Sequence, residues 1–241
     1  MIALRPTLGL YVLSMRINRT FWVMNVFTGL VLPVIVQAVF SPKLDPDART
    51  RLLVANVILA LAMVTFRKAG IVLTVDRVFG YRDLLAATGV TRHAYLGAYA
   101  LDALTLSLLP LGVFAAGVGL LGVPPPVSWS WLGPYALSAA SLFVFGIWFG
   151  CKSQSLPPVV LAVNLATMGA MAFCPLAYPP ERAPALLRPL VSVLPPSLSA
   201  ETMSAGWLGE PVSPLQLALL AVWTLGVGVL ALRRFPWTDS A

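Results

Sequence analysis

Residues 52–74 read LLVANVILALAMVTFRKAGIVLT. From Leu52 to Phe66 the run is apolar but for Asn56 and Thr65, and then Arg67 and Lys68 interrupt it. At 1.5 Å per residue the apolar part covers roughly 22 Å of helix, short of the ~30 Å hydrocarbon core of a bilayer. The helix therefore has to continue past the two charges. In one reading Arg67 and Lys68 mark the cytoplasmic interface, with Ala69 to Val75 projecting into the cytosol or packed against protein. In the other, the two charges lie buried within the membrane and serve transport.

The same kind of run recurs along the chain. Residues 21–40, 95–121, 131–149, 158–176 and 214–232, each approximate at its edges, are long and rich in Leu, Ala and Val, and with 52–74 they make six candidate crossings. None alternates apolar with polar residues as a barrel strand does, so the expected fold class is all-α: a polytopic membrane protein forming a single transmembrane domain over residues 1–241. Apolar residues are 59% of the chain and charged ones 10%, and a soluble fold could not hide so much apolar surface.

Orientation follows from Lys and Arg, because basic loops stay cytoplasmic. With six crossings and both termini inside, the inside holds Arg5, Arg16, Arg19, Arg67, Lys68, Arg77, Arg82, Arg92, Lys152, Arg233 and Arg234. The outside holds only Lys43, Arg49, Arg51, Arg182 and Arg188. That bias accounts for the net charge of +7 with membrane lipid as the partner and no nucleic acid. Trp22, Trp129, Trp131 and Trp148 fall at proposed helix ends, where Trp anchors sit, whereas Trp223 falls mid-span. Cys151 and Cys174 are separated by a mostly helical stretch, on the order of 30 Å, and read as free thiols. The first apolar run is long and lacks a small-residue cleavage pattern after it, which argues against a signal peptide.

Before the first crossing, Leu4, Leu8, Tyr11, Val12 and Met15 recur at helical spacing. They suit an interfacial helix on the cytoplasmic surface, or an early, poorly apolar turn of the first span. Between the second and third crossings, Val78, Tyr81, Leu84, Leu85 and Thr88 line one face of a short helix that Gly89 would end. That helix either rests on headgroups or is a docking surface for a cytosolic partner. Pro110 should kink the third span, and Pro124, Pro125 and Pro126 make an external turn. Residues 175–212 are broken repeatedly by Pro yet stay apolar over 185–194, which suits short helices dipping into the outer leaflet or shielded by protein. Ser213, Pro214 and Gln216 then supply the start signal of the last span.

Catalytic constellations are missing. No G-x-x-x-x-G-K-[ST] phosphate loop is present, so any ATP is bound by another chain and this one needs no cofactor of its own. His93 is the only histidine, which excludes H-E-x-x-H and histidine-rich metal sites, so no catalytic or metal residues are assigned and the chain is not expected to be an enzyme. Asp102 is the clear acidic residue within a span, two turns into the third, where snorkelling or a local hydrogen bond explains it as well as ion coupling does. Deeper uncharged polar residues are Gln37, Asn56, Asn164 and Thr167. Asn56, Asn164 and Thr167 could line a substrate path, or hydrogen-bond helix to helix.

Over nearly its whole length the arrangement resembles the type-2 family of ABC transporter permeases (ABC-2), the membrane subunits of multidrug, antibiotic and polysaccharide exporters. The local likeness is carried by Arg82-Asp83-Leu84-Leu85, Thr88-Gly89, Val90-Thr91-Arg92 and Tyr95-Leu96-Gly97, and more loosely by Cys174-Pro175-Leu176 through Pro189-Leu190, Leu194-Pro195-Pro196-Ser197 and Glu201. The family's usual Glu before the coupling Gly is absent, since Val78-Phe79 precede Gly80. The resemblance implies an N-terminal interfacial helix, an outer re-entrant segment and a cytoplasmic coupling helix comprising Tyr81, Arg82, Asp83, Leu84, Leu85, Thr88, Gly89 and Thr91. Leu84 and Leu85 would form its apolar plug, with Arg82 and Asp83 as the polar rim. It also implies two copies of a cytosolic ABC ATPase, a second permease copy or paralogue, export of a hydrophobic or lipid-like substrate or drug, and residence in a bacterial cytoplasmic membrane. The alternative is a secondary, ion-coupled transporter.

Overall fold

A computed structural model describes residues 23, 26–152, 155–173, 185, 188–235 and 237, and helix is the only regular structure among them. In chain order the helices are α1 (Phe27–Lys43), α2 (Pro46–Val78), α3 (Tyr81–Ala87), α4 (Arg92–Leu121), α5 (Leu132–Lys152), α6 (Leu156–Phe173), α7 (Arg188–Val191), α8 (Pro195–Leu208) and α9 (Pro214–Arg234). Among the described residues four of these, α2, α4, α5 and α9, are long and apolar enough to cross a membrane. They contain the expected runs 52–74, 95–121, 131–149 (but for Trp131) and 214–232. The apolar stretches of α1 and α6 are shorter. The expected interfacial helix and residues 174–184 of the outer stretch lie outside the described residues, as does Cys174.

Local chemistry sets the helix starts. Asp45 accepts from the Ala48 amide at 2.8 Å ahead of Pro46, Thr91 accepts from the Ala94 amide at 3.2 Å, and Ser213 from the Gln216 amide at 3.5 Å ahead of Pro214. Each satisfies an N–H that the first helical turn leaves open. Of four left-handed glycines among the described residues, Gly80 (φ 69°) and Gly89 (φ 81°), where a side chain would be strained, bracket α3. Val78 therefore belongs to the end of α2, on the far side of Gly80 from the face it was expected to share.

Two of the long helices are interrupted. In α2 a π turn occupies Ala62–Phe66. In α4 the break comes at Leu108, where Pro110 removes a donor and the Leu108 and Leu111 amides bond only three residues back, to Thr105 and Leu108.

α2 and α5 approach most closely where α5 has no side chain to separate them. A Cβ on Gly146 would lie 2.5 Å from the Phe66 carbonyl oxygen and 2.7 Å from Ala69 Cβ, and one on Gly150 2.9 Å from the Gly70 carbonyl oxygen. Lipid tails are as apolar as leucine, so helices in a membrane gain from this kind of close van der Waals packing. α9 packs along α5, α6 along the Arg67–Val78 half of α2, and α8 against α2 and α5.

The bundle has two differently built ends. At the end carrying 44–45, 122–131 and 209–213, Leu53, Val57 and Leu61 of α2 meet Phe114, Trp131, Tyr135, Met203 and Trp207. Phe114 stacks on Trp207 with centroids 4.6 Å apart and planes at 21°. Trp207 Nε1 donates to the Pro124 carbonyl at 3.0 Å, so α8 is shielded by protein here rather than lying free. The opposite end carries Arg77, Arg82, Arg92, Arg233 and Arg234 and is called the basic end below. Trp223, the misfit among the anchors, donates through Nε1 to the Val193 carbonyl at 2.8 Å, about 13 Å along α9 from its start.

Gly146→Val is expected to cost about 3 kcal/mol, because the clashing atom is backbone that cannot rotate away. Gly133→Ala, which meets nothing within 4 Å, should be neutral or stabilise by up to about 1 kcal/mol. Reversible unfolding in lipid bicelles measures both.

Candidate functional site at the basic end

α3 is a seven-residue helix joined to α2 through Gly80 and to α4 through Val90 and Thr91. Its end is closed by the Gly89 amide donating to the Ala86 carbonyl and the Val90 amide to the Leu85 carbonyl, as a C′ glycine requires. Thr88 Oγ1 also donates to the Leu85 carbonyl, at 2.8 Å. Tyr81, Asp83, Leu84, Thr88, Gly89 and Thr91 are exposed.

Two of the expected coupling residues point elsewhere. Arg82 is only 3% exposed and sits inside the bundle, near enough for its charge to act on Asp76 and Tyr95. It is not part of an outward polar rim. Leu85 is half-buried and packs against the cluster of Ala69, Leu73, Tyr95, Ile147, Ala231 and Phe235. It fastens α3 to the bundle, so the outward plug is not Leu84 with Leu85. What stands out instead is a ridge of Val78, Phe79, Tyr81 and Leu84, with Phe79 64% and Leu84 63% exposed. The rings of Phe79 and Tyr81 lie 6.3 Å apart. Sequence periodicity missed Phe79 because it straddles the turn between two helices, where no single helical face includes it.

Behind α3 lies a polar network. Tyr95 and Tyr99 both donate their hydroxyls to Asp76 Oδ2, Tyr95 at 2.8 Å. The Arg92 guanidinium donates to the Leu232 carbonyl at the end of α9 and lies over the Phe235 ring. Tyr95 also contacts Phe235 and Trp237, with centroids 6.1 and 5.2 Å away.

One step deeper, Lys68 of α2 forms an ion pair with Asp102 of α4, and both are almost fully buried at 4% and 2% exposure. Lys68 is thus not at an aqueous interface, as expected for it together with Arg67, but inside the protein. Ala69, Leu73 and the rest of that half-helix pack on α5 and α6. The pairing was legible in principle. Lys68 lies ten residues before the end of α2 and Asp102 ten after the start of α4, so an antiparallel hairpin sets them at one depth.

The three expected path residues are not brought together. Asn56 donates through Nδ2 to Gln37 Oε1 at 3.0 Å, and Gln37 Nε2 donates on to the Arg49 carbonyl at 3.2 Å, a helix-to-helix bridge in the other half of the bundle. Thr167 donates to the Val163 carbonyl of its own helix at 2.8 Å, and Asn164 is half-buried on α6. Among the described residues no three His, Cys, Asp or Glu side chains gather as a metal site. The chain matches no known family model and no curated protein.

Asp102→Ala should destabilise the protein by about 3–5 kcal/mol, since it removes the buried carboxylate that compensates the Lys68 charge. Lys68→Met combined with Asp102→Leu should recover most of that loss. A double-mutant cycle read by unfolding in bicelles tests the coupling; equal, additive losses would deny that the pair is buried together.

Proposed function

We propose that this chain is the membrane-spanning permease subunit of an ATP-driven exporter of the ABC-2 type, moving a hydrophobic or lipid-like substrate or drug outward. The observation that carries the reading is the exposed apolar ridge of Val78, Phe79, Tyr81 and Leu84 on the basic end. α2 is 33 residues, about 50 Å, and outreaches a ~30 Å hydrocarbon core, so its end and α3 stand where lipid tails do not cover them. A cluster of large apolar groups in that position suits a protein partner. The excess of Arg and Lys on the same side supports a cytosolic address for that partner.

In this reading α1 and α6 complete six crossings, both termini are cytoplasmic, and two cytosolic ATPase subunits supply the nucleotide site the chain lacks. Leu84 and Phe79 seat in the ATPase, Asp83 and Thr88 rim the contact, and Arg82 and Leu85 hold α3 on the bundle. The bond from Trp223 to Val193 supports an outer segment that re-enters between the spans. A second copy of the chain, or a paralogue, closes the path in a bacterial cytoplasmic membrane. Coupling requires that ATPase closure favour one permease state over another, and a contact alone does not transmit work.

An ion-coupled transporter is the second reading, supported by the buried Lys68–Asp102 pair, because ionisable groups inside a bundle mark ion pathways. Purification of the tagged chain from its host in mild detergent separates the two. The exporter reading expects a Walker-motif ATPase to accompany it, with association lost on Phe79→Asp plus Leu84→Asp and transport surviving collapse of ion gradients. Transport that stops with the gradient and needs no ATPase would replace it with the second reading.

A further inference from the structure

The half of α4 at the basic end, residues 92–107, is attached to the bundle differently from every helix around it. The facing half of α2, Arg67–Val78, is welded to α5 through Gly146 and Gly150 and packs along α6. By contrast, the backbones of Arg67–Val78 and Arg92–Ser107 scarcely approach each other. What joins them is side chains: the Lys68–Asp102 ion pair, the Tyr95 and Tyr99 hydroxyls on Asp76, and the Tyr95 ring against Ala69 and Leu73, while the half-helix also touches α5. At its base this half-helix is held to α9 by Arg92 on the Leu232 carbonyl and by Tyr95 against Phe235 and Trp237.

Its other end is a break. Leu108 is where the regular bonding of α4 fails, and the Ser107 carbonyl, left without the Leu111 amide, accepts from the Tyr135 hydroxyl instead. Tyr135 belongs to the aromatic cluster of Phe114 and Trp131, so the break is anchored to the more rigidly packed end of the molecule. The π turn of α2 at Ala62–Phe66 lies beside it, and the 92–107 half of α4 touches that turn. Irregular turns of this kind accompany functional hinges.

We propose that residues 92–107 form a hinged arm that swings about Leu108, with Lys68–Asp102 as its latch. The latch is reversible by construction. Asp102 Oδ1 is buried and accepts no hydrogen bond among the described residues, so the closed pair is only partly satisfied. The arm starts at Arg92, four residues after α3, and α3 is joined to α2 through Phe79 and Gly80, so a load on α3 reaches both sides of the latch. The source of that load rests on the exporter reading, but the arm and its latch do not.

The test uses the full chain alone in lipid nanodiscs, with Cys151 and Cys174 replaced by Ser. Nitroxide labels are placed at His93 at the arm's base, at Leu161 on α6 and at Val229 on α9, all exposed. Asp102→Asn should add a second His93–Leu161 distance longer by roughly 5 Å or more, with Leu161–Val229 unchanged. An unchanged His93–Leu161 distribution, or equal broadening of both pairs, overturns the proposal. In the wild-type chain, amide exchange over 92–107 should run at least about tenfold faster than over 67–78 and 109–121, and equal rates also overturn it. Failure of an ATPase to bind leaves both measurements intact and removes only the exporter reading.

Discussion

The contact of α2 with α5 at Gly146 and Gly150 governs the rest of the bundle. It brings two backbones together and leaves α2 the most enclosed of the four long apolar helices, with Leu53, Val57, Leu61 and Val64 inaccessible. Enclosure makes every polar group on α2 a demand for an internal partner, since a buried unpaired group is costly. The demands are met in sequence order along the helix. Asn56 takes Gln37, Thr65 its own Leu61 carbonyl at 2.6 Å, Lys68 Asp102, and Thr74 the Gly70 carbonyl at 2.9 Å. The positions of α1 and α4 around α2 follow from two of those four partners.

Along α4 the means of attachment changes at Leu108. Beyond it Val113, Phe114 and Gly117 pack into the aromatic cluster, where Gly117 leaves room for Leu53. Before it, the contact with the Arg67–Val78 half of α2 is made by side chains: the Lys68–Asp102 pair, the tyrosine hydroxyls on Asp76 and the Tyr95 ring against Ala69 and Leu73. Van der Waals packing is lost only when surfaces separate bodily, whereas hydrogen bonds and ion pairs can be exchanged for others or for water. The two halves of one helix are therefore suited to different work, one to holding the bundle and one to moving within it. The exposed ridge on α3 adjoins the movable half, which is the arrangement a cytosolic motor would need.

Among the described residues no three His, Cys, Asp or Glu side chains gather, and what the bundle presents is close packing, hydrogen bonds and a buried ion pair. A buried ion pair is weak evidence for stability, because its desolvation cost rivals its attraction. Its place between two half-helices whose backbones scarcely approach each other is better understood as registry and switching than as reinforcement. That view brings the exporter and ion-coupled readings to a single point of difference: whether force on α3 or an ion at the pair changes the state of the arm.

Length and hydropathy along the chain determined that it is helical and where its four long apolar helices run, because an apolar stretch of twenty residues has few other structures open to it. Capping chemistry at Ser213 and Gly89 was legible too, since it depends on neighbours within three or four residues. Which way a side chain faces at a helix junction was not. Arg82 and Leu85 turn inward and Phe79 outward because Gly80 resets the direction of the chain between α2 and α3, and no periodicity runs through such a turn. Likewise Lys68 and Asp102 were visible as two isolated charges, but only the antiparallel return of α4 set them against each other. Local composition determined the elements; distance in space, imposed by backbone packing of α2 on α5, decided which of their polar groups became partners.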